Sequence, residues 1–247
     1  MTTPWDARTY DRASTPQQAW ASDVIERLAA RIAPDTAILD VGCGTGRVTE
    51  AMLSLIPEGR MLAMDGSAAM VDAARERLGD RARVWQQDAV ELTVAEPVDA
   101  IVSTAALHWI PDHDRLFDRL GRAVRPGGVL EVQCGGEGNI ARVREAIDAA
   151  AAEGFPELVG WSPWTFASPQ ETEARLSAAG FTEIRCWLEE RPTEPEDVGA
   201  FVRSSILPAH LERLPEPSRE PFAAAVLERV APPLDYVRLN ISATRAG

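Results

Sequence analysis

Residues Ala37 to Gly46 read A-I-L-D-V-G-C-G-T-G, an apolar β-type run delivered into glycines at alternate positions, Gly42, Gly44 and Gly46. Glycine has no Cβ and tolerates φ > 0, so the chain can turn sharply there and let a ligand approach its backbone. A strand, a glycine-rich turn and a helix start make the nucleotide-binding corner of a doubly wound α/β sheet. A dinucleotide loop needs a further glycine at the sixth position of this pattern, and Arg47 stands there. Asp40 beside the loop would also repel a pyrophosphate, whose binding needs bare N–H groups. It suits a ligand with a positive charge, such as the amino group of an amino-acid moiety.

Two more acids follow at strand ends. R-M-L-A-M-D is a second short apolar strand closing on Asp65, about twenty residues beyond the loop, the spacing at which an acid reaches a ribose hydroxyl. R-V-W-Q-Q-D-A reads as a third strand tipped by Asp88. Either acid could instead cap the helix that follows it.

With D-x-G-x-G-x-G and these spaced acids, the chain resembles the class I S-adenosylmethionine-dependent methyltransferases. That resemblance implies S-adenosylmethionine as cofactor, held by Asp40, Gly42, Cys43, Gly44, Asp65, Gly66, Met70, Asp88, Ala89 and Thr104. Asp65 would hold the ribose diol, and Asp88 with Ala89 would face the adenine amino edge.

Strands alternating with helical patterns predict an α/β fold with a parallel sheet covered on both faces; the resemblance implies a Rossmann-like, doubly wound sheet of seven strands, mostly parallel, the last one antiparallel, with helical lid elements. A single domain spans residues 1–247, with a helical N-terminal segment over 1–33 and a cofactor-binding half over 34–135. The first helix opens on Thr15-Pro16-Gln17-Gln18, and Ser67 is placed to cap the helix carrying Met70, Ala74 and Leu78. The fifth strand is expected at Val129 to Cys134, after a P-G-G turn that is a further feature of the family. Between the last two strands, residues 193–235 are rich in Pro and Glu, with helical patches around Val198–Ile206 and Phe222–Val230. An ordered insertion of that length is usually functional, here as a lid.

Composition narrows the partners. A net charge of -13 over 247 residues disfavours nucleic acid, whose binders need a clustered basic surface, so no nucleic-acid partner is expected. Cys43, Cys134 and Cys186 show no metal-ligand spacing, so no metal is expected, and their strand positions suit buried thiols in a reducing compartment. The N-terminus lacks a signal-peptide pattern and no run is long enough for a bilayer, so a cytoplasmic protein with no membrane partner is expected.

On the acceptor side, Trp5 and Tyr10 precede the first helix, and Leu107-His108-Trp109 follows the fourth strand. These resemble the trans-aconitate methyltransferase branch and the juvenile hormone acid methyltransferases, which esterify a carboxylic acid. The resemblance places Tyr10, Gln17 and Trp109 against a small-molecule acceptor, most plausibly an oxygen and possibly a carboxylate. A carboxylate needs only orienting donors, whereas a phenol, alcohol or amine needs a proton acceptor. His108 is the candidate catalytic residue, as base or substrate donor, with a structural histidine as the alternative. Arg8, Arg12 and Arg203 could pair with an anionic substrate, or be surface charges. An S-adenosylmethionine-binding protein or a non-methylating catalyst on the same fold would carry the same cofactor motifs.

Overall fold

In the computed structural model of the chain the described residues are 15–247, with side chains described from Trp20 onward. Strands β1 (Ala37–Val41), β2 (Arg60–Asp65), β3 (Arg83–Gln86), β4 (Val98–Thr104), β5 (Val124–Gly135), β6 (Phe181–Glu190) and β7 (Val237–Arg245) make one sheet. Their order is β3-β2-β1-β4-β5-β7-β6. β7 is antiparallel to both of its neighbours, and the remaining pairings are parallel.

The alternation of side chains along each strand divides the core between two faces. Ile38, Ala100 and Val102 pack with Val24 and Leu28 of helix α1 (Thr15–Ala29) and with Met52, at the end of α2 (Arg47–Met52). Leu39, Val41 and Ile101 pack on the other face with Leu116, Phe117 and Leu120 of α4 (His113–Ala123), which follows α3 (Ala68–Leu78) in the chain. Covered on both sides, β1 is buried at all five positions and therefore reads as a continuous apolar run broken only by Asp40.

Helices α5 (Ala141–Gly154) and α6 (Pro169–Ala178) lead into β6, α6 being closed at its start by a capping box between Ser168 and Glu171. Between β6 and β7 lie α7 (Val198–Phe201), a π-helical turn over Val202–Ile206, α8 (Pro208–Arg213) and α9 (Glu216–Leu227). The last helix begins six residues before the expected Phe222, despite Pro217 and Pro221. Proline fits a first turn, and burial of Phe222, Ala223 and Val226 against α5 outweighs the prolines' propensity. β5 also departs from expectation, since it starts at Val124 rather than Val129. The P-G-G segment is a bulge within the β4–β5 pairing, where the register jumps between Val98↔Val124 and Ala100↔Val129. Among the described residues no helix is long and apolar enough to cross a membrane.

Strand order reverses between β1 and β4, and in such sheets a ligand binds outside the carboxyl ends of the strands at that crevice. The glycine loop leaves β1 there, and the Leu107–Trp109 turn leaves β4 beside it.

Candidate active site

Gly42 holds φ 75°, and a Cβ added to it would collide with Cβ of Ala106. The turns after β1 and β4 therefore touch, and only glycine permits it. At Gly44, with φ 54°, an added Cβ would meet nothing within 4 Å, so this part of the loop faces open space. The Gly42 and Cys43 amides donate to the Met64 carbonyl at 2.8 and 3.0 Å, closing the loop onto β2. Gly44 N–H donates to Asp65 Oδ2 at 2.9 Å and Ser67 N–H to Asp65 Oδ1 at 2.8 Å. Asp65 thus fixes the loop to the end of β2, while its carboxylate keeps capacity for a further donor such as a hydroxyl. Burial raises its pKa, and the amides from Ser67, Gly44 and Gly66 oppose that rise. Ser67 occupies the N-cap of α3, but its side chain makes no cap bond; the local bond is the one its amide gives Asp65.

Asp40 is 1% exposed. Its Oδ2 accepts from the Thr49 hydroxyl of α2 at 2.6 Å, and Oδ1 is buried with no hydrogen-bond partner. Burial, with Asp65 adding its charge, pushes its carboxyl up to about 7 against the Thr49 hydrogen bond. A lone buried carboxylate oxygen beside a glycine loop fits a ligand ammonium, as the amino-acid end of S-adenosylmethionine would supply. Asp88 caps the short turn Ala89–Glu91 by accepting from Val90 N–H at 3.1 Å. Cys43, Met70 and Ala89 are buried beside these groups, Thr104 ends β4, and the Gly66 carbonyl accepts from Gln86 Nε2 at 3.0 Å.

Past β4, Ala105 holds a left-handed φ of 55°, unfavourable for a residue with a Cβ. His108 follows in the Leu107–Trp109 turn and is buried. Its Nδ1 accepts from Gly135 N–H at 3.2 Å, which puts the ring proton on Nε2. Burial, then the charges of Arg238 and His113, hold its pKa well below the usual histidine range. Of the roles open to His108 from sequence, this arrangement makes it a neutral hydrogen-bond donor and leaves Nδ1 no capacity to take a proton.

Trp109 packs on Trp164 at 5.7 Å between ring centres, Trp164 stacks on Phe166 at 5.6 Å, and His210 of the insertion lies 5.0 Å from Trp164. Trp161 and Trp164 are thus part of one aromatic cluster that joins the turn after β4 to the insertion. Arg203 is turned away, its Nη1 and Nη2 donating to Glu220 at 2.8 Å each. Gln17 lies in α1, three residues before Trp20, and its side chain is outside the description; Trp5, Arg8, Tyr10 and Arg12 lie outside the described residues.

A buried polar face on β5 and β7 has no counterpart in the sequence reading. Glu131, Gln133, Arg238 and Asn240 are all buried at 2% exposure or less. Gln133 donates to Asn240 at 2.9 Å, and Glu131 receives Arg27 at 3.0 Å and Arg31 at 2.7 Å from α1. The signal was present in V-R-L-N-I-S-A-T, a strict polar–apolar alternation in a strand that lies inside a sheet covered on both faces.

A surface groove of about 440 Å³ lies elsewhere, along the outer edge of β3 between Trp85 and Val94. Among the described residues, no group of three or more His, Cys, Asp or Glu could hold a metal ion.

Residues 38–128 match a family model described as a methyltransferase domain. The trans-aconitate 2-methyltransferase of Deinococcus radiodurans is 33% identical over 180 residues, 73% of this chain and 67% of the relative. That of Variovorax paradoxus is 28% identical over 232 residues, 92% of this chain and 88% of the relative. Among solved structures, the YcgJ protein of Bacillus subtilis is similar with a TM-score of 0.64 and 15% identity, over 92% of this chain and 99% of that one. A phosphoethanolamine N-methyltransferase of Haemonchus contortus, solved with S-adenosyl-L-methionine, gives a TM-score of 0.63 and 19% identity, over 98% of this chain and 57% of that one.

Proposed function

The chain belongs to the trans-aconitate methyltransferase-like branch of the class I S-adenosylmethionine-dependent methyltransferases, and on that premise we propose that its acceptor is an oxygen of a small carboxylic acid. S-adenosylmethionine supplies the activated methyl group. The protein's share is to bind, orient and exclude water, because much of the acceleration of such a displacement comes from holding nucleophile and methyl in line at near-attack distance.

The observation that carries the carboxylate reading is the hydrogen-bond state of His108. A carboxylate is already ionised at neutral pH and asks for donors. His108, with Nδ1 taken by Gly135 N–H, offers Nε2–H and stays neutral. An alcohol, phenol or amine would ask this position for a proton acceptor. The relatives named trans-aconitate 2-methyltransferase point the same way, since their named substrate is a carboxylic acid.

In this reading Asp40 and Asp65 with Gly42 and Gly44 hold the cofactor's amino-acid and ribose parts, beside Cys43, Gly66 and Met70. Asp88 and Ala89 face its base, and Thr104 borders it from β4. Trp109 and the N-terminal Tyr10 and Gln17 border the acceptor. Residues 193–235 are the lid, their His210 packing on Trp164, which in turn packs on Trp109.

The test is methyl-ester formation. The purified protein with S-adenosylmethionine should convert trans-aconitate or another member of a carboxylic-acid panel to its monomethyl ester, read by mass spectrometry. At saturating substrates kcat should be flat between pH 6.5 and 9, because the His108 imidazole stays neutral throughout that range. Methylation confined to alcohols or amines, with a kcat limb from a titrating base, would overturn the carboxylate acceptor and leave the methyltransferase standing.

A further inference from the structure

Resting on the reading of the acceptor as a carboxylate, we propose that Arg238 is the residue that recognises this carboxylate and makes the enzyme selective for anionic acceptors. Arg238 is the second residue of β7. Because β7 runs antiparallel to β5, its first residues lie at the carboxyl edge of the parallel strands. That edge also carries the glycine loop, Asp65 and the His108 turn.

Arg238 and His108 meet at one residue. Gly135 is the register partner of Arg238 on β5, and the same Gly135 gives its N–H to His108 Nδ1. The guanidinium charge reaches both sides of this junction, adding to the depression of the His108 pKa and pulling down that of the Cys134 thiol, which burial pushes up to about 11.

The side chain is 2% exposed, and its Cζ stands 4.7 Å from the centre of the Trp20 ring of α1. Stacking on an indole face holds a guanidinium plane in one orientation and leaves its in-plane N–H groups pointing sideways. Five donors in a planar fork leave room for a ligand carboxylate beside any contact the side chain makes within the protein. Bidentate N–H···O pairing supplies direction as well as charge, which a nucleophilic oxygen held for in-line attack requires. His108 Nε2–H adds a neutral donor from the β4 side, so the two groups flank the acceptor from either side of β5.

This arrangement also gives a reason for the polar face behind it. Gln133 and Asn240 hydrogen-bond across β5 and β7 one pleat below Arg238, and Glu131 pins Arg27 and Arg31 of α1 one pleat further down. The ladder seats α1 on the strand pair, and α1 presents Trp20 to Arg238. Selectivity follows from charge and geometry: an uncharged isostere offers the guanidinium fork no anionic pair of oxygens, so it forfeits the charge-assisted bidentate bonds that an acid makes.

The test titrates protein saturated with S-adenosylhomocysteine with trans-aconitate and a panel of mono- and dicarboxylic acids, each beside its carboxamide. The wild type should prefer acid over amide by about 10- to 100-fold. Arg238→Met should abolish that preference, Arg238→Lys should restore part of it, and affinity for S-adenosylhomocysteine should stay within about twofold in both. With the ester assay, the loss should fall on KM for the acid and spare kcat more. Where Arg238→Met fails to fold, the folded Lys variant and Arg238→Gln decide. Any folded uncharged variant that keeps the wild-type preference overturns the role of Arg238. A wild type that methylates carboxylic acids while binding amides equally well also overturns it and leaves the acceptor reading intact. A wild type that methylates no acid removes the acceptor reading, and the role of Arg238 with it.

Discussion

The sheet is two different materials joined at β4 and β5. Around the glycine loop, β1 and its neighbours pack apolar side chains on both faces, and Asp65 meets the loop at their carboxyl ends. On the other side, one face of β5 and β7 is a buried ladder of Glu131, Gln133, Asn240 and Arg238 under a helix that supplies arginines. The first is built from the turns at the strand ends, and its hydrogen bonds join residues about twenty positions apart or fewer, such as Gly44 with Asp65 and Asp40 with Thr49. The second depends on pairs more than a hundred residues apart, such as Arg27 with Glu131 and Gln133 with Asn240. The glycine-loop corner and the β5–β7 ladder therefore rest on separate foundations, and each can be removed while the other is watched.

The largest expected effect is at Asp65. Replacing it with alanine removes the acceptor of both the Gly44 and Ser67 amides and leaves buried donors unanswered in the loop that must receive the cofactor. Binding of S-adenosylhomocysteine should fall by at least about 100-fold by calorimetric titration, on the scale of losing several charge-assisted hydrogen bonds. An Asp65→Ala protein with wild-type affinity would mean that the glycine loop is not the cofactor's seat.

Next in size is Glu131→Ala, which strips the counter-charge from Arg27 and Arg31; Glu131 is wholly buried, while the two arginines keep 23% and 25% of their side-chain surface. Breaking such a pair from one side costs about 3 kcal/mol, read as a fall in Tm of roughly 6–12 °C for a domain of this size. Affinity for S-adenosylhomocysteine should be nearly unchanged at a temperature where the variant is folded. A parallel loss of cofactor binding would show that the two foundations are one.

The same division explains what could be read from the amino-acid order. The strand–loop–helix corner, Asp65 at its spacing and the seven strands were legible because glycine positions, apolar runs and strand-end acids are local signals. The hydrogen-bond state of His108 was not, because it is set by Gly135, 27 residues away on the next strand. Arg238 was visible only as one polar beat in an alternating strand, and its meaning needed the antiparallel register that brings it opposite Gly135. The helix over Glu216–Leu227 was missed at its start because three prolines read locally as a break, while its buried Phe222 and Val226 pack against distant α5. Local chemistry survives in a one-dimensional string; cross-strand pairing does not.

The smallest of these effects concerns Asp40, and it is the one in which the same group pulls stability and function in opposite directions. Its carboxyl is pushed up to about 7 in the folded protein, above the 3.8 of a solvated aspartate. A raised folded-state pKa means that folding favours the protonated form, so the associated stability is present at low pH and is lost as pH rises through about 7. At pH 8 the ionised, half-partnered carboxylate is a liability to the apo protein. Asp40→Asn keeps an oxygen for the Thr49 hydroxyl and removes that charge, so it should stabilise the apo form by about 2 kcal/mol at pH 8, with little gain at pH 5. The ligand ammonium reverses the sign, because it needs the ionised carboxylate that the fold disfavours. Wild-type kcat/KM for S-adenosylmethionine should therefore rise with pH through about 7, as the free-enzyme carboxyl ionises. The Asn variant should lose that limb and bind S-adenosylhomocysteine about tenfold more weakly, for the charge-assisted contact it gives up. A melting series at pH 5 and 8, run with and without S-adenosylhomocysteine, reads both signs at once. A variant that is neither more stable alone nor weaker with ligand would mean that Asp40 is a neutral buried acid serving only Thr49, and the cofactor half would then owe its selectivity for a cationic ligand to some other group.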